Sequence, residues 1–251
     1  MLKLLFYRVS PLILRPVAML LEGGLKDGSS ILVLSLPIAM MALALSSIPV
    51  HIEYYQTRTS DNNYLSLKVL YGGGLSWIMA AVSVLLMIVL LFPGFEFSSS
   101  FISIVCATFL IEKLADEISR SLEFKKKYFG WFWIQILRSI WVFVPIAFTF
   151  FGGDYLACYL YVSFFTVLVF LFLFTQITGV AFTFTIHSLS LLKGNIVYLI
   201  GSFLPAIYRQ VPRVYIVRMY PELAHLYMAL AQVSQGVGIL FSVRFQVPYR
   251  K

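Results

Sequence analysis

Arginines inside apolar runs are the residues of this chain best suited to chemistry: Arg15, Arg138, Arg209, Arg213 and Arg218. An Arg near the centre of a bilayer costs about 2.5–3.5 kcal/mol on insertion scales, so each must face a wet cavity, a carboxylate or an anionic ligand. Its planar, permanently charged fork suits phosphate in particular. The densest stretch is Gly201 to Glu222, GSFLPAIYRQVPRVYIVRMYPE, where Pro205 and Pro212 also interrupt the run. Proline removes a backbone donor, which lipid tolerates only beside protein or a cavity. Arg209 and Arg213 lie one turn apart and share a face if the helix persists through Pro212. Two readings stay open: snorkelling or pairing with protein acids, and binding of an anion. Snorkelling suits Arg218 and Arg8 better than Arg15, Arg138 and Arg209.

Other chemistry finds little footing. There is no GxxxxGK[ST] phosphate loop and no HExxH, and Gly72-Gly73-Gly74 lacks the spacing of a dinucleotide loop. His51, His187 and His225 are too scattered for a metal site, and no Ser/His/Asp arrangement can be argued. Cys106 and Cys158 fall in apolar spans and read as buried, reduced thiols. Glu112, Asp116 and Glu117 form a carboxylate cluster, but cations interleave it. Asp116 with Arg120, and Lys113 with Glu117, stand at i,i+4 spacing and support a helix. They read as a solvated helix end leaving the membrane, or as a gate that exchanges ion pairs through Asp116, Glu117 and Arg120. No catalytic residue, cofactor or metal is expected, and no enzyme.

The elements that must position these residues follow from composition. Of 251 residues, 60% are hydrophobic and only 12% charged, against about 25% charged in soluble domains. An all-α, polytopic membrane bundle is expected. With ~20 apolar residues needed per crossing, about eight spans emerge. They run from about Leu4 to Leu21, Ile31 to Val50, Val69 to Phe92, Phe101 to Arg120, Trp131 to Phe151, Tyr155 to Gln176, Ile196 to Val217 and Leu223 to Val243. The N-terminal run, broken by Arg15 and Pro16 and followed by no cleavage site, reads as a retained span rather than a signal peptide.

Charge sets the orientation. With the N-terminus in the cytoplasm, Lys26 alone of the basic residues outside the spans falls on the external side. The positive-inside rule therefore gives N-in and C-in. The formal charge of +8 is explained by this bias, and no nucleic-acid partner is expected. Glu22 to Ser30, Pro93 to Ser100 and Gly152 to Asp154 read as short external turns. Residues 1–178 make a six-helix lobe and 179–194 a cytoplasmic or interfacial linker, where AFTFTIHSLSLL alternates with a strand-like period. Residues 195–251 supply two further helices. The first and seventh spans echo one another: Pro11, Arg15 and Pro16 in one, Pro205, Arg209, Pro212 and Arg213 in the other. Paired Pro-interrupted spans point to a transporter's binding site.

The segment Ile111 to Phe148, IEKLADEISRSLEFKKKYFGWFWIQILRSIWVFVPIAF, resembles the fourth and fifth helices of bacterial polysaccharide-export flippases. These are the lipid-linked oligosaccharide (O-antigen unit) flippases of the multidrug/oligosaccharidyl-lipid/polysaccharide superfamily. The shared pattern is an acid-bearing helix, a basic cytoplasmic turn and an apolar helix with an early Arg, here Arg138. Ala18 to Ser35, AMLLEGGLKDGSSILVLS, is similar to the family's first external turn, and Val211 to Ala231 looks like the start of its second lobe.

The resemblance implies a multi-pass inner-membrane protein of polysaccharide (lipopolysaccharide) biosynthesis. It would move an undecaprenyl-diphosphate-linked oligosaccharide from the cytoplasmic to the periplasmic leaflet by alternating access. Carried over residue by residue, Arg15, Arg138, Arg209 and Arg213 are the substrate-binding candidates for the diphosphate. Family members carry twelve to fourteen helices in two lobes. This sequence stops after about eight, and reads as a truncated product or as half of an oligomer, its second lobe then supplied by a second copy or a partner. The expected partners are the polyprenyl-diphosphate-linked glycan and membrane lipid. The rival expectation is a non-transporting, or truncated and inactive, subunit of a polysaccharide assembly complex.

Overall fold

The computed structural model describes residues 2–25, 30–43, 98–125, 127–178 and 196–245. Among them all regular structure is helical: α1 Leu2–Gly23, α2 Ile31–Leu43, α3 Ser99–Phe124, α4 Tyr128–Ile140, α5 Phe143–Phe150, α6 Tyr155–Thr178, α7 Ile196–Met219 and α8 Pro221–Phe245. The expected all-α class therefore holds. The expected span Val69 to Phe92 and the linker 179–194 lie outside the described residues.

Two of the described helical stretches are long and apolar enough to cross a membrane, Tyr128–Phe150 and Tyr155–Ile177, with mean hydropathies of 1.5 and 2.4. α6, YLACYLYVSFFTVLVFLFLFTQIT, is rich in aromatic and β-branched residues, which favour strands in water. A lone strand leaves its backbone donors and acceptors unpaired in hydrocarbon, so a spanning segment of this composition takes the helix. Its buried stripe runs Tyr155, Tyr159, Ser163, Thr166, Val167, Phe170 and Phe174, the i, i+3/i+4 spacing of one helical face. Tyr161, Phe165, Leu168 and Phe172 point outward, each more than 60% exposed, as a lipid-facing surface would have it.

Prolines act differently along the chain. α1 is helical through Pro11 and Pro16, and α7 through Pro205 and Pro212. At Pro145 the helix does break. Its ring nitrogen cannot donate to the carbonyl of Trp141, a tighter bond from the Val144 amide takes that carbonyl at 3.2 Å, and α4 hands over to α5. α5 stops at Gly152, whose φ of 86° is the left-handed conformation glycine adopts without strain. The Gly152 amide returns to Thr149 and that of Gly153 to Phe148, satisfying two terminal carbonyls. Asp154 then caps α6, its Oδ1 accepting from the Ala157 amide at 3.2 Å.

α3 packs along α6, α1 along α8, and both α1 and α3 against α4, while α5 lies on α6 and α7 on α8. The main core draws on α1 to α8 with buried Met19, Ile104, Ile111, Ile118, Phe170 and Met228. A smaller cluster joins Ile38 and Met41 of α2, Val105 and Phe109 of α3 and Val214 of α7. Buried alanines at 18, 107, 115, 224 and 229 let helix backbones approach, the kind of packing that holds helices together where lipid removes the hydrophobic drive.

Candidate functional site

The bundle is organised around two buried carboxylates. The first is Glu112, midway along α3 and 2% exposed. One of its oxygens accepts from Arg15 Nη2 of α1, and the other from Arg138 of α4, through Nη2 and through Nε at 2.8 Å. Arg15 and Arg138 are themselves only 14% and 12% exposed. Two guanidiniums thus share one carboxylate in the protein interior. Beside them lies a space lined by Leu32, Leu36, Thr108 and Trp141, with room for about one water-sized molecule.

The second carboxylate is Glu22, in the last turn of α1 and fully buried. It gathers three further helices. Its Oε1 accepts the Leu32 amide at the start of α2 at 2.8 Å and the Tyr155 hydroxyl of α6 at 2.9 Å. His225 Nε2 of α8 stands 3.5 Å from Oε2. The amides of a first helical turn have no partner within their own helix. A carboxylate there supplies an acceptor and complements the positive end of the helix dipole. Gly23 makes room for the imidazole: a Cβ on it would stand 2.8 Å from His225 Cγ.

Seven residues of α1 separate Arg15 from Glu22, which is about 10 Å of helix rise. Between the two carboxylates sits Tyr159, fully buried, in electrostatic reach of both Glu22 and Glu112 and edge-on to Trp141 with ring centroids 5.2 Å apart. Its hydroxyl faces the side chains of Ser35 and Thr108.

Of the arginines singled out in the sequence, Arg15 and Arg138 are thus brought together on Glu112. The helix of α7 persists through Pro212, but Arg209 and Arg213 meet different surroundings. Arg209 is exposed. Arg213 is buried, donates to Gln210 Oε1 at 3.2 Å and reaches the Ala231 carbonyl of α8 at 3.5 Å. The carboxylates of α3 part from expectation in one respect. Lys113 and Glu117 do face one another at i,i+4, 3.9 Å apart, yet they are 0% and 1% exposed. That pair lies inside the protein and not on a solvated helix end, because the buried face of α3 continues past it to Ile118, Ser119 and Leu122. Asp116 is half-buried; the side chain of Arg120 lies outside the described residues. Toward the end of α3, Lys125 Nζ donates to the Ile177 carbonyl of α6 at 2.7 Å, and Gln135 Nε2 of α4 to Ser119 Oγ at 2.7 Å.

Sequence reasoning missed both carboxylates as organising groups. Glu22 reads as part of an external turn because Gly23-Gly24 follows it, and Glu112 is absorbed into the cluster with Asp116 and Glu117. The usable signal was an acid set in or at the end of an apolar run, where an arginine of another run could pair with it.

No family model, curated protein or solved structure matches this chain. Among the described residues no group of three or more His, Cys, Asp and Glu side chains gathers as metal ligands would.

Proposed function

We propose that the chain is an eight-span, N-in and C-in inner-membrane transporter of the polysaccharide flippase type. Its cargo is an undecaprenyl-diphosphate-linked oligosaccharide, carried to the periplasmic leaflet for surface polysaccharide assembly. The observation that carries the reading is the Arg15–Glu112–Arg138 cluster, two guanidiniums on one carboxylate, buried among three helices. A diphosphate outbids a single carboxylate for two guanidiniums, since it offers more negative charge and more acceptor oxygens to the same forks. Glu112 then acts as the resting counter-ion that holds both arginines in place until cargo arrives. With room for only a water-sized molecule beside it, the arrangement corresponds to a closed state, and rocking of the α7–α8 hairpin opens it. Arg209 and Arg213 on that hairpin present further positive charge to the same lipid diphosphate. Asp116, Glu117 and Arg120 form the ion-pair gate.

Antiparallel order supports the topology. Glu22, Leu32, Tyr155 and His225 each fall at the end of a helix that N-in alternation puts outside, and they meet in one cluster.

Complementation tests the reading: the 251-residue chain is expressed in a flippase-null bacterium and surface polysaccharide is assayed. Restoration is the expected result. A stably inserted chain that restores nothing, alone or with its partner genes, would support the non-transporting subunit instead.

A further inference from the structure

We propose that the corner where α3 ends and α4 begins seats the headgroup of an anionic phospholipid. Residues 120–127, RSLEFKKK, hold four basic side chains against one acid. Lys125 and Lys127 are exposed. Lys125 Nζ donates to the Ile177 carbonyl at 2.7 Å, which fixes one charge where α6 also ends. Lys127 makes no side-chain hydrogen bond or ion pair among the described residues, so its charge is left to the surroundings. Directly after it, α4 turns Phe129 and Trp133 outward, 62% and 49% exposed. Phe129 and Phe132 both lie edge-on to the Trp133 ring.

The depth of these groups matches a lipid. Six residues separate Lys127 from Trp133, about 9 Å of helix rise. The lysine therefore reaches headgroup level when the indole lies at the edge of the hydrocarbon, the boundary that Trp favours. Leu137, Ile140 and Val144 continue the exposed face along α4 and α5, where acyl chains lie. The opposite end of the same hairpin gives the contrast. Phe150 and Phe151 are exposed there too, but the charge beside them is the exposed Asp154, and residues 139–178 contain no Lys or Arg. Both ends suit a bilayer boundary, and of the two the basic end suits an anionic headgroup. The site rests on the reading of α4–α5 and α6 as a spanning hairpin, and holds whatever the chain transports.

The test reads Trp133 fluorescence in the full chain, with Trp77, Trp131 and Trp141 replaced by Phe, reconstituted in bilayers. It is quenched by phosphatidylglycerol or phosphatidylcholine brominated on the acyl chains, and the ratio of their association constants is measured. The site predicts a preference for phosphatidylglycerol of about fivefold, the effect of one lysine near an anionic headgroup. The ratio is expected to fall to near one after Lys125→Gln, Lys126→Gln, Lys127→Gln. A reporter at the other end, Phe151→Trp with Trp133→Phe, is expected to show no preference. Where the Trp-reduced chain fails to fold, native mass spectrometry of the unaltered chain reads the same contrast. More phosphatidylglycerol than phosphatidylcholine is then retained by the parent, and equal amounts by the triple Lys variant; equal retention by the parent overturns the site. Equal quenching of Trp133 by both lipids overturns the site and leaves the spanning hairpin standing, as does a preference that survives the Lys substitutions or recurs at Phe151→Trp. Quenching of Trp133 by neither lipid overturns the hairpin and the site together.

Discussion

Arg138 grips one oxygen of Glu112 with two nitrogens, Nε at 2.8 Å and Nη2, while the other oxygen is left to Arg15. The side chains come from the last turn of α4 and from the middle of α3 and α1, so the cluster ties three helices together. Removing one member of a buried ion cluster leaves an uncompensated charge, which costs about 3–5 kcal/mol. Glu112→Ala is therefore expected to lose that much in a denaturant titration in detergent. The combined change Arg15→Met, Glu112→Met, Arg138→Met leaves no buried charge and is expected to recover most of the loss while abolishing transport. A triple variant as unstable as Glu112→Ala would contradict this account of the cluster.

Arg209 and Arg213 divide stability from function in another way. Arg209 is exposed and its truncation to Ala is expected to change stability by no more than about 0.5 kcal/mol. Arg213 is buried and bonded to Gln210, so its truncation costs about 1–3 kcal/mol. The double variant is expected to insert normally in membranes, by carbonate extraction, and to restore no surface polysaccharide. Wild-type complementation by it would remove these residues from the binding site.

Gly23 predicts a defect of shape. A Cβ there would lie 2.9 Å from His225 Cβ, a backbone-anchored atom that cannot swing away. Gly23→Val should push α8 off α1 and lower stability by about 1–3 kcal/mol, read as a fall in melting temperature. Gly24→Val, whose nearest neighbour is a carbonyl oxygen at 3.4 Å, should cost less.

Gly152 predicts a defect of conformation. At its φ of 86° an L side chain costs roughly 1–2 kcal/mol, although nothing stands within 4 Å of the added methyl. Gly152→Ala is expected to lose that amount in the same melting assay, and Gly152→Asn less, since Asn tolerates the left-handed region.

Helix positions were legible because a long apolar run bounded by charge or Gly has one backbone solution in lipid. Expected spans from Tyr155 to Gln176 and Ile196 to Val217 meet helices Tyr155–Thr178 and Ile196–Met219. The arginines stood out as costly in such runs. What they contact was not legible, since 97 residues separate Arg15 from Glu112 and 133 separate Glu22 from Tyr155. Those pairings depend on which helix faces which, and spacing along a single chain carries no such information. Proline misled in one direction: Pro11 and Pro16 punctuate α1 in sequence without ending it. Lys113 misled in the other, because a cation next to polar neighbours reads as solvated until the opposing face of the bundle is seen to cover it.

Flipping in proteoliposomes shows whether this chain moves a lipid diphosphate. The purified chain is reconstituted with a fluorescent undecaprenyl-diphosphate oligosaccharide, and an impermeant quencher reports how much label reaches the outer leaflet. Complete quenching is expected with the parent chain, protection of the inner-leaflet half with the double variant Arg209→Ala, Arg213→Ala, and slower quenching for the monophosphate analogue. Protection of the inner half by the parent chain to the level of protein-free liposomes would contradict transport by this chain.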